Sequence, residues 1–372
     1  MLDRLRGLLE LETGGARRLR PMEGLRGVAV LLVFLQHYAV QSLIHVDLDG
    51  VALMLAQALR VIGNLGVVLF FILSGYLIHG TLLRRQPGFA AFMARRVERI
   101  YPAFLCVFAL TAALHWLFAT GQIPAEPAAA ARLLLANLLL LPGVLAIEPL
   151  MAVAWTLSYE MAFYLVLGLI VPGLRMVRWP RAARIAFILG LAALVTGVCI
   201  FFPGDIGAFA SPLPMLPFFA GMLLYELGET RLPAMPGWLA LAVATADLLL
   251  DHRLVLLPLI REWCETIAMA MLCSAAFRGG NVAARAMSWT PLRWLGNMSY
   301  SYYLLHGLVV LTVFRGLAAW VGHGWPSATA FALLLPVFAA SVAASLILFA
   351  MVERPLSLSR AGLRPAVLRA SA

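Results

Sequence analysis

Apolar residues in this chain come in long runs rather than in the spaced stripes of a soluble protein, and short arginine-rich stretches separate the runs. The runs are Gly24 to Ser42, Leu65 to Leu83, Tyr101 to Ala119, Met151 to Val171, Ile185 to Phe202, Leu213 to Gly228, Trp238 to Leu250, Leu254 to Ala275, Asn297 to Trp320 and Ala328 to Val352. A helix needs about 20 mostly apolar residues to cross a hydrocarbon core of about 30 Å. Backbone groups in lipid must be satisfied within the segment, so each run is expected to be an α-helix. The pattern predicts an all-α, polytopic transmembrane helical bundle of about ten spans. The seventh run is short and holds Asp247, and Ala128 to Leu141 is apolar yet too short to cross, as a re-entrant or interfacial segment would be.

Composition agrees with this pattern. Of 372 residues, 63% are hydrophobic and 12% charged, and the mean hydropathy is +0.92, far from the balance of a soluble domain. Any chemistry is therefore expected within the membrane or at its faces. A net charge of +10 would suit a nucleic acid if the cations were clustered, but all 28 basic residues are arginines lying between apolar runs. No nucleic-acid partner is expected; membrane lipids are.

With the N-terminus in the cytoplasm, only Arg60, Arg132, Arg253, Arg261 and Arg315 fall toward the far side, and the other 23 arginines lie inside. Arginine bias in short loops sets orientation, so ten spans with both termini cytoplasmic are expected. Residues 1–23 lack the apolar core of a cleaved signal and read as a cytoplasmic arginine-rich leader. Residues 24–356 form the membrane domain and 357–372 a cytoplasmic tail. Cys106, Cys199, Cys264 and Cys273 are scattered in apolar surroundings and read as packing residues, and no metal or nucleotide-loop motif occurs.

Candidate chemistry begins in the first run. Arg26 and His37 stand eleven residues apart, close to three helical turns, so they share one face about 16 Å apart along the axis. An ionisable group at membrane depth is costly and faces the bundle interior or a wet cavity. Arg95, Arg96 and Arg99 lie at the mouth of the third run, and on a helix they project from one side. Such forks suit phosphate oxygens; the plain alternative is an anchor on lipid headgroups. In the fourth run Glu160 sits near the midplane, at a depth where it can meet His37 and support it as a base, or form a structural ion pair.

The ninth run places His306 about 14 Å in, either lining the same cavity or satisfied by a neighbouring helix. Glu353 ends the last run beside Arg354 and Pro355, as a helix stop or as a partner for the arginine cluster. Ser74-Gly75 marks close helix packing. His45, His79, His115, His252 and His323 read as ordinary interfacial residues, as do Asp47, Asp49 and Glu148.

Together these segments resemble the acyltransferase 3 family of membrane-bound acyl-group transferases. The likeness rests on seven elements in order: Arg-Pro-x-x-Gly-Leu-Arg-Gly (Arg20 to Gly27), the Arg26 and His37 spacing, and Phe-Phe-x-Leu-Ser-Gly-Tyr-Leu-Ile (Phe70 to Ile78). Then follow Arg-Arg-x-x-Arg-Ile-x-Pro (Arg95 to Pro102), Trp-Thr-Leu-Ser-x-Glu-x-x-Phe-Tyr (Trp155 to Tyr164), Leu-Gly-x-x-Ser-Tyr-x-x-Tyr-Leu-x-His (Leu295 to His306) and Glu-Arg-Pro at Glu353. Glu23 stands where the family more often has aspartate, and Tyr159-Glu160-Met161 replaces a stretch that often has a second acidic or amide residue.

The resemblance implies a bacterial inner-membrane O-acyltransferase. Its donor would be an acyl-coenzyme A at the cytoplasmic face, acetyl by default, with no tightly bound cofactor. Its acceptor would be a hydroxyl on a glycan, lipid-linked saccharide or similar molecule. Arg26, Arg95, Arg96 and Arg99 would hold the donor, His37 would act as base with Glu160 beside it, and Tyr164, Ser299, Tyr300, His306 and Glu353 would line or support the site. No added C-terminal hydrolase-like (SGNH-type) domain is expected. The competing classes are a transporter or flippase that uses the buried histidine and glutamate as a substrate or proton pathway, and a non-catalytic scaffold.

Overall fold

The computed structural model describes residues 2–10, 20–118, 121–202, 211–228 and 257–358. These residues are predominantly helical. In chain order the α-helices are α1 (Leu2–Leu9), α2 (Arg20–His45), α3 (Gly50–Ile62), α4 (Asn64–Arg85), α5 (Phe89–Leu117), α6 (Pro127–Leu138), α7 (Ala154–Gly173), α8 (Arg181–Phe201), α9 (Leu216–Leu227), α10 (Leu257–Phe277), α11 (Val282–Met287), α12 (Thr290–Asn297), α13 (Ser299–Val321) and α14 (Ser327–Leu348). A π-helical stretch, Phe349–Leu358, continues α14. Two short strands, Val46–Asp47 and Trp325–Pro326, pair in parallel, with Val46 opposite Trp325.

Seven helical segments among the described residues are long and apolar enough to cross a membrane: α2, α3 with α4, α5, α7, α8, α13, and α14 with its π extension. The remaining expected runs differ for physical reasons. Leu213 to Gly228 yields α9, only 12 residues and about 18 Å long. Leu254 to Ala275 yields the 21-residue α10, which carries Arg261, Glu262 and Glu265 within its apolar sequence. Trp238 to Leu250, with Asp247, lies outside the described residues. The short run from Ala128 forms α6, whose first turn is capped by the Glu126 carboxylate accepting from the Ala128 and Ala129 amides.

Helix starts also differ from the apolar boundaries. α5 begins at Phe89 and passes through Pro102, so Arg95, Arg96 and Arg99 are helical, as their expected projection from one side requires, and precede the apolar run that starts at Tyr101. Proline removes one backbone bond there, which membrane helices tolerate when neighbours re-satisfy the freed groups. α3 lies where the sequence showed no span.

The chain divides into two compact units. The first comprises residues 1–67, 98–107 and 285–372, so it contains α2, α12, α13 and α14. Backbones at the start of α2 press against α12. A Cβ on Gly296 would fall 1.7 Å from the Glu23 carbonyl oxygen, and one on Gly27 2.1 Å from that of Leu292. No side chain fits such an approach, which gives two glycines of the family-like motifs a packing reason. The aromatic core of this unit has Phe34 edge-on to Phe338 at 5.2 Å, with Tyr302 and Phe314 fully buried.

The second unit comprises residues 68–97 and 108–284. Its core stacks Phe71 and Phe163 on Phe218 at 4.3 and 4.4 Å. The close packing expected at Ser74-Gly75 is present: a Cβ on Gly75 would meet the Phe218 carbonyl oxygen at 2.1 Å.

Candidate active site

In the first unit, three consecutive residues at the start of α13 organise two arginines. Arg26 donates from Nε and Nη2 to the Ser299 hydroxyl at 3.0 and 2.8 Å. The Arg99 guanidinium lies over the Tyr300 ring, 5.3 Å from its centroid, while the Tyr300 hydroxyl donates to the Ile100 carbonyl at 2.7 Å. Arg99 Nη1 donates to Glu353 Oε1 at 2.5 Å, and Glu353 Oε2 accepts from the Ser301 amide at 3.0 Å and from its hydroxyl. Amides in the first turn of a helix lack an intrahelical partner, so the fully buried Glu353 carboxylate serves α13 as well as Arg99. Pro355 lacks an N–H, and Glu353 sits in the widened π turn around it.

The same end of α2 carries a second buried charge pair. Glu23 Oε2 accepts from Arg293 Nε at 2.9 Å and from Asn297 Nδ2 at 3.4 Å. The glutamate that departs from the family's usual aspartate therefore still meets a cation. Sequence reasoning did not single out Arg293 or Asn297, because partners some 270 residues away leave no local spacing.

Further along α2, His37 meets His306. Their rings cross edge to face with centroids 5.0 Å apart. His306 is fully buried, and its Nδ1 lies 3.0 Å from the Tyr302 carbonyl oxygen. A carbonyl only accepts, so Nδ1 carries the proton in the neutral ring and Nε2 is left as an acceptor. That Nε2 has no hydrogen-bond partner among the described residues. The Tyr302 ring, nearly parallel at 5.6 Å, further fixes the imidazole plane. His37 itself is half-buried.

Glu160 belongs to the second unit. It accepts from the Ser74 hydroxyl at 3.1 Å and from the Tyr164 hydroxyl. The Arg96 guanidinium rests over the Tyr164 and Phe92 rings, 5.7 Å from each centroid. Arg95 is exposed. Glu160's hydrogen bonds among the described residues go to these two hydroxyls. The ring placed beside His37 is that of His306.

This unit also holds a buried network built on a histidine read from sequence as interfacial. His79 is fully buried, with Nε2 2.7 Å from Glu226 Oε1, and Arg184 grips both Glu226 oxygens at 2.7 and 2.9 Å. His79 follows Ser74-Gly75 within an apolar helix, the same signal that singled out His37. His252 lies outside the described residues. Among the described residues, no group of three or more histidine, cysteine, aspartate or glutamate side chains is placed to hold a metal ion.

A helical membrane protein with buried arginine–carboxylate pairs and an imidazole pair at depth is an acyl-group transferase by its sequence likeness. The acyltransferase domain characteristic of the acyltransferase 3 family matches residues 21–350, and the chain belongs to that family. It is an O-acyltransferase. Acyltransferase MdmB of Streptomyces mycarofaciens is 27% identical over 364 residues, 91% of each chain. Exopolysaccharide production protein ExoZ of Rhizobium meliloti (strain 1021) is 30% identical over 305 residues, 79% of this chain and 90% of its own. No solved structure matches the chain.

Proposed function

We propose that the protein takes an acyl group, acetyl by default, from acyl-coenzyme A at the cytoplasmic face and passes it to a hydroxyl of a glycan or lipid-linked saccharide. The observation that carries this reading is the line along α2: a serine-held Arg26, and about 16 Å further in, His37 beside His306. A donor with an anionic head, a long flexible arm and a thioester at its tip fits that line. Arg26 and Arg99, with Arg95 and Arg96 earlier on the same helix as Arg99, serve the phosphates through guanidinium forks. The donor exchanges with solvent as a substrate and is not a resident cofactor.

At the inner end, His37 takes the proton of the acceptor hydroxyl as its oxygen attacks the thioester carbonyl. The carbon–oxygen bond forms, the carbon–sulfur bond breaks, and the proton passes from the imidazole to the departing thiolate. His306 holds the neighbouring ring position. Glu160 fixes Tyr164, on whose ring Arg96 rests.

The division of 23 arginines against five supports ten spans with both termini in the cytoplasm, and the bacterial relatives support a bacterial inner membrane as the location. The name of ExoZ supports a glycan acceptor. The test is full-length protein in proteoliposomes given radiolabelled acetyl-coenzyme A, together with mass spectrometry of surface glycans from a deletion strain. Wild type should consume the donor and restore the missing acyl mass. His37→Ala should lower the rate about 10²- to 10⁴-fold while still binding the donor. Equal restoration by wild type and His37→Ala would remove His37 from the chemistry.

A further inference from the structure

At the end of α2 and α13 opposite Arg26, a groove of about 470 Å³ is lined by Gln41, His45, Leu311, Arg315 and His323. Along α2 it continues the face that carries His37: Gln41 is one turn further on, about 6 Å along the axis.

Its polar groups are arranged rather than scattered. His45 is 5% exposed, and its ring stacks on His323 at 5.0 Å and on Trp325 at 5.9 Å. His45 Nδ1 lies 3.0 Å from the Gln41 carbonyl oxygen, so the neutral ring donates there and keeps Nε2 as an acceptor. The side-chain Oε1 of Gln41 is buried with no hydrogen-bond partner among the described residues. Unpaired buried acceptors are uncommon and call for a donor. Arg315 is exposed, lines the groove and makes no ion pair or hydrogen bond among the described residues. The groove therefore offers two acceptors for hydroxyl groups, flat rings suited to a sugar face, and one exposed cation able to pair with an anion.

We infer that this groove is the acceptor subsite and that it takes an anionic saccharide. Hydroxyls of the sugar donate to His45 Nε2 and Gln41 Oε1, and a phosphate or carboxylate of the same molecule pairs with Arg315. This rests on the proposed donor route, since it assigns the acceptor to the end of α2 away from Arg26. A carboxylate on the glycan and a phosphate on a lipid carrier share the chemistry Arg315 recognises, and the experiment separates them.

Purified full-length protein in detergent would be titrated with three labelled probes: cellotriose, trigalacturonate, and glucose linked to a short prenyl phosphate. At least one anionic probe should bind about tenfold more tightly than cellotriose, and Arg315→Gln should abolish that preference. Gln41→Ala should weaken all probes that bind. The preferred anionic probe identifies the source of the charge. Failure of any anionic probe to bind better than cellotriose, or a preference that survives Arg315→Gln, overturns the assignment. Consumption of acetyl-coenzyme A by the wild-type protein is followed separately: its loss with saccharide binding intact would overturn the donor route and leave the groove standing.

Discussion

Glu353 commits both carboxylate oxygens to the interior, one to Arg99 and the other to Ser301, with no exposed surface. Deleting one member of a buried pair leaves the other charge uncompensated, at a cost of about 3 to 5 kcal/mol. Arg99 keeps partial exposure, so Glu353→Ala should fall at the lower end of that range, read as a lower midpoint of thermal unfolding in detergent. Tyr300→Phe removes the hydroxyl bond to Ile100 but keeps the ring under Arg99, and should cost about 1 kcal/mol in the same assay. His306→Phe keeps a flat ring beside Tyr302 and loses Nε2. If His306 steadies His37, that variant should turn over at least about tenfold more slowly while binding acetyl-coenzyme A as the wild type does. At this scale the sequence showed His37, Glu160, His306 and Glu353, because each is an ionisable group interrupting an apolar run. It did not show the partners: Glu23 with Arg293, and His79 with Glu226 and Arg184, are joined by tertiary packing across long sequence separations.

Among elements, the contact between α2 and α12 depends on absent side chains. Gly296→Ala would drive a methyl into the Glu23 carbonyl, and overpacking of this kind costs about 1 to 3 kcal/mol. The same change at Gly316, where a Cβ would meet nothing within 4 Å, should leave the unfolding midpoint unchanged or raise it. Comparing the two variants by thermal unfolding separates close approach from helix propensity. The helices themselves were legible wherever an apolar run was long, as for α2, α4, α7, α8, α13 and α14. Their ends were less so, because a helix such as α5 continues through polar residues that lie beyond the apolar stretch. α3 escaped notice because it follows α2 after a short polar break and does not form a separate full-length run.

For the molecule as a whole, the arginine distribution makes a topological prediction. In a variant lacking the four native cysteines, Gln122→Cys should react with a membrane-impermeant maleimide added outside cells, and Trp179→Cys should react only after permeabilisation. The opposite labelling pattern would invert the assignment of faces and with it the proposed direction of transfer. The all-helical membrane class followed directly from composition and run length. The division into two units did not, because it depends on which helices associate, and apolar runs of similar character carry little information about partners in lipid.

The parallel pairing of Val46–Asp47 with Trp325–Pro326 bears on what the first unit can measure. It ties down the far end of α2, where Ser327 also bonds Asp47 and Gly324 bonds His45, while Gly296 and Arg293 hold the near end against α12. A helix pinned at both ends keeps a constant interval between Arg26 and His37, so on the proposed reading α2 works as a gauge. A donor whose phosphates and thioester are separated by too short an arm presents its carbonyl before reaching the imidazole, whatever acyl group it carries. Donors would then be sorted by reach first and by chemistry second.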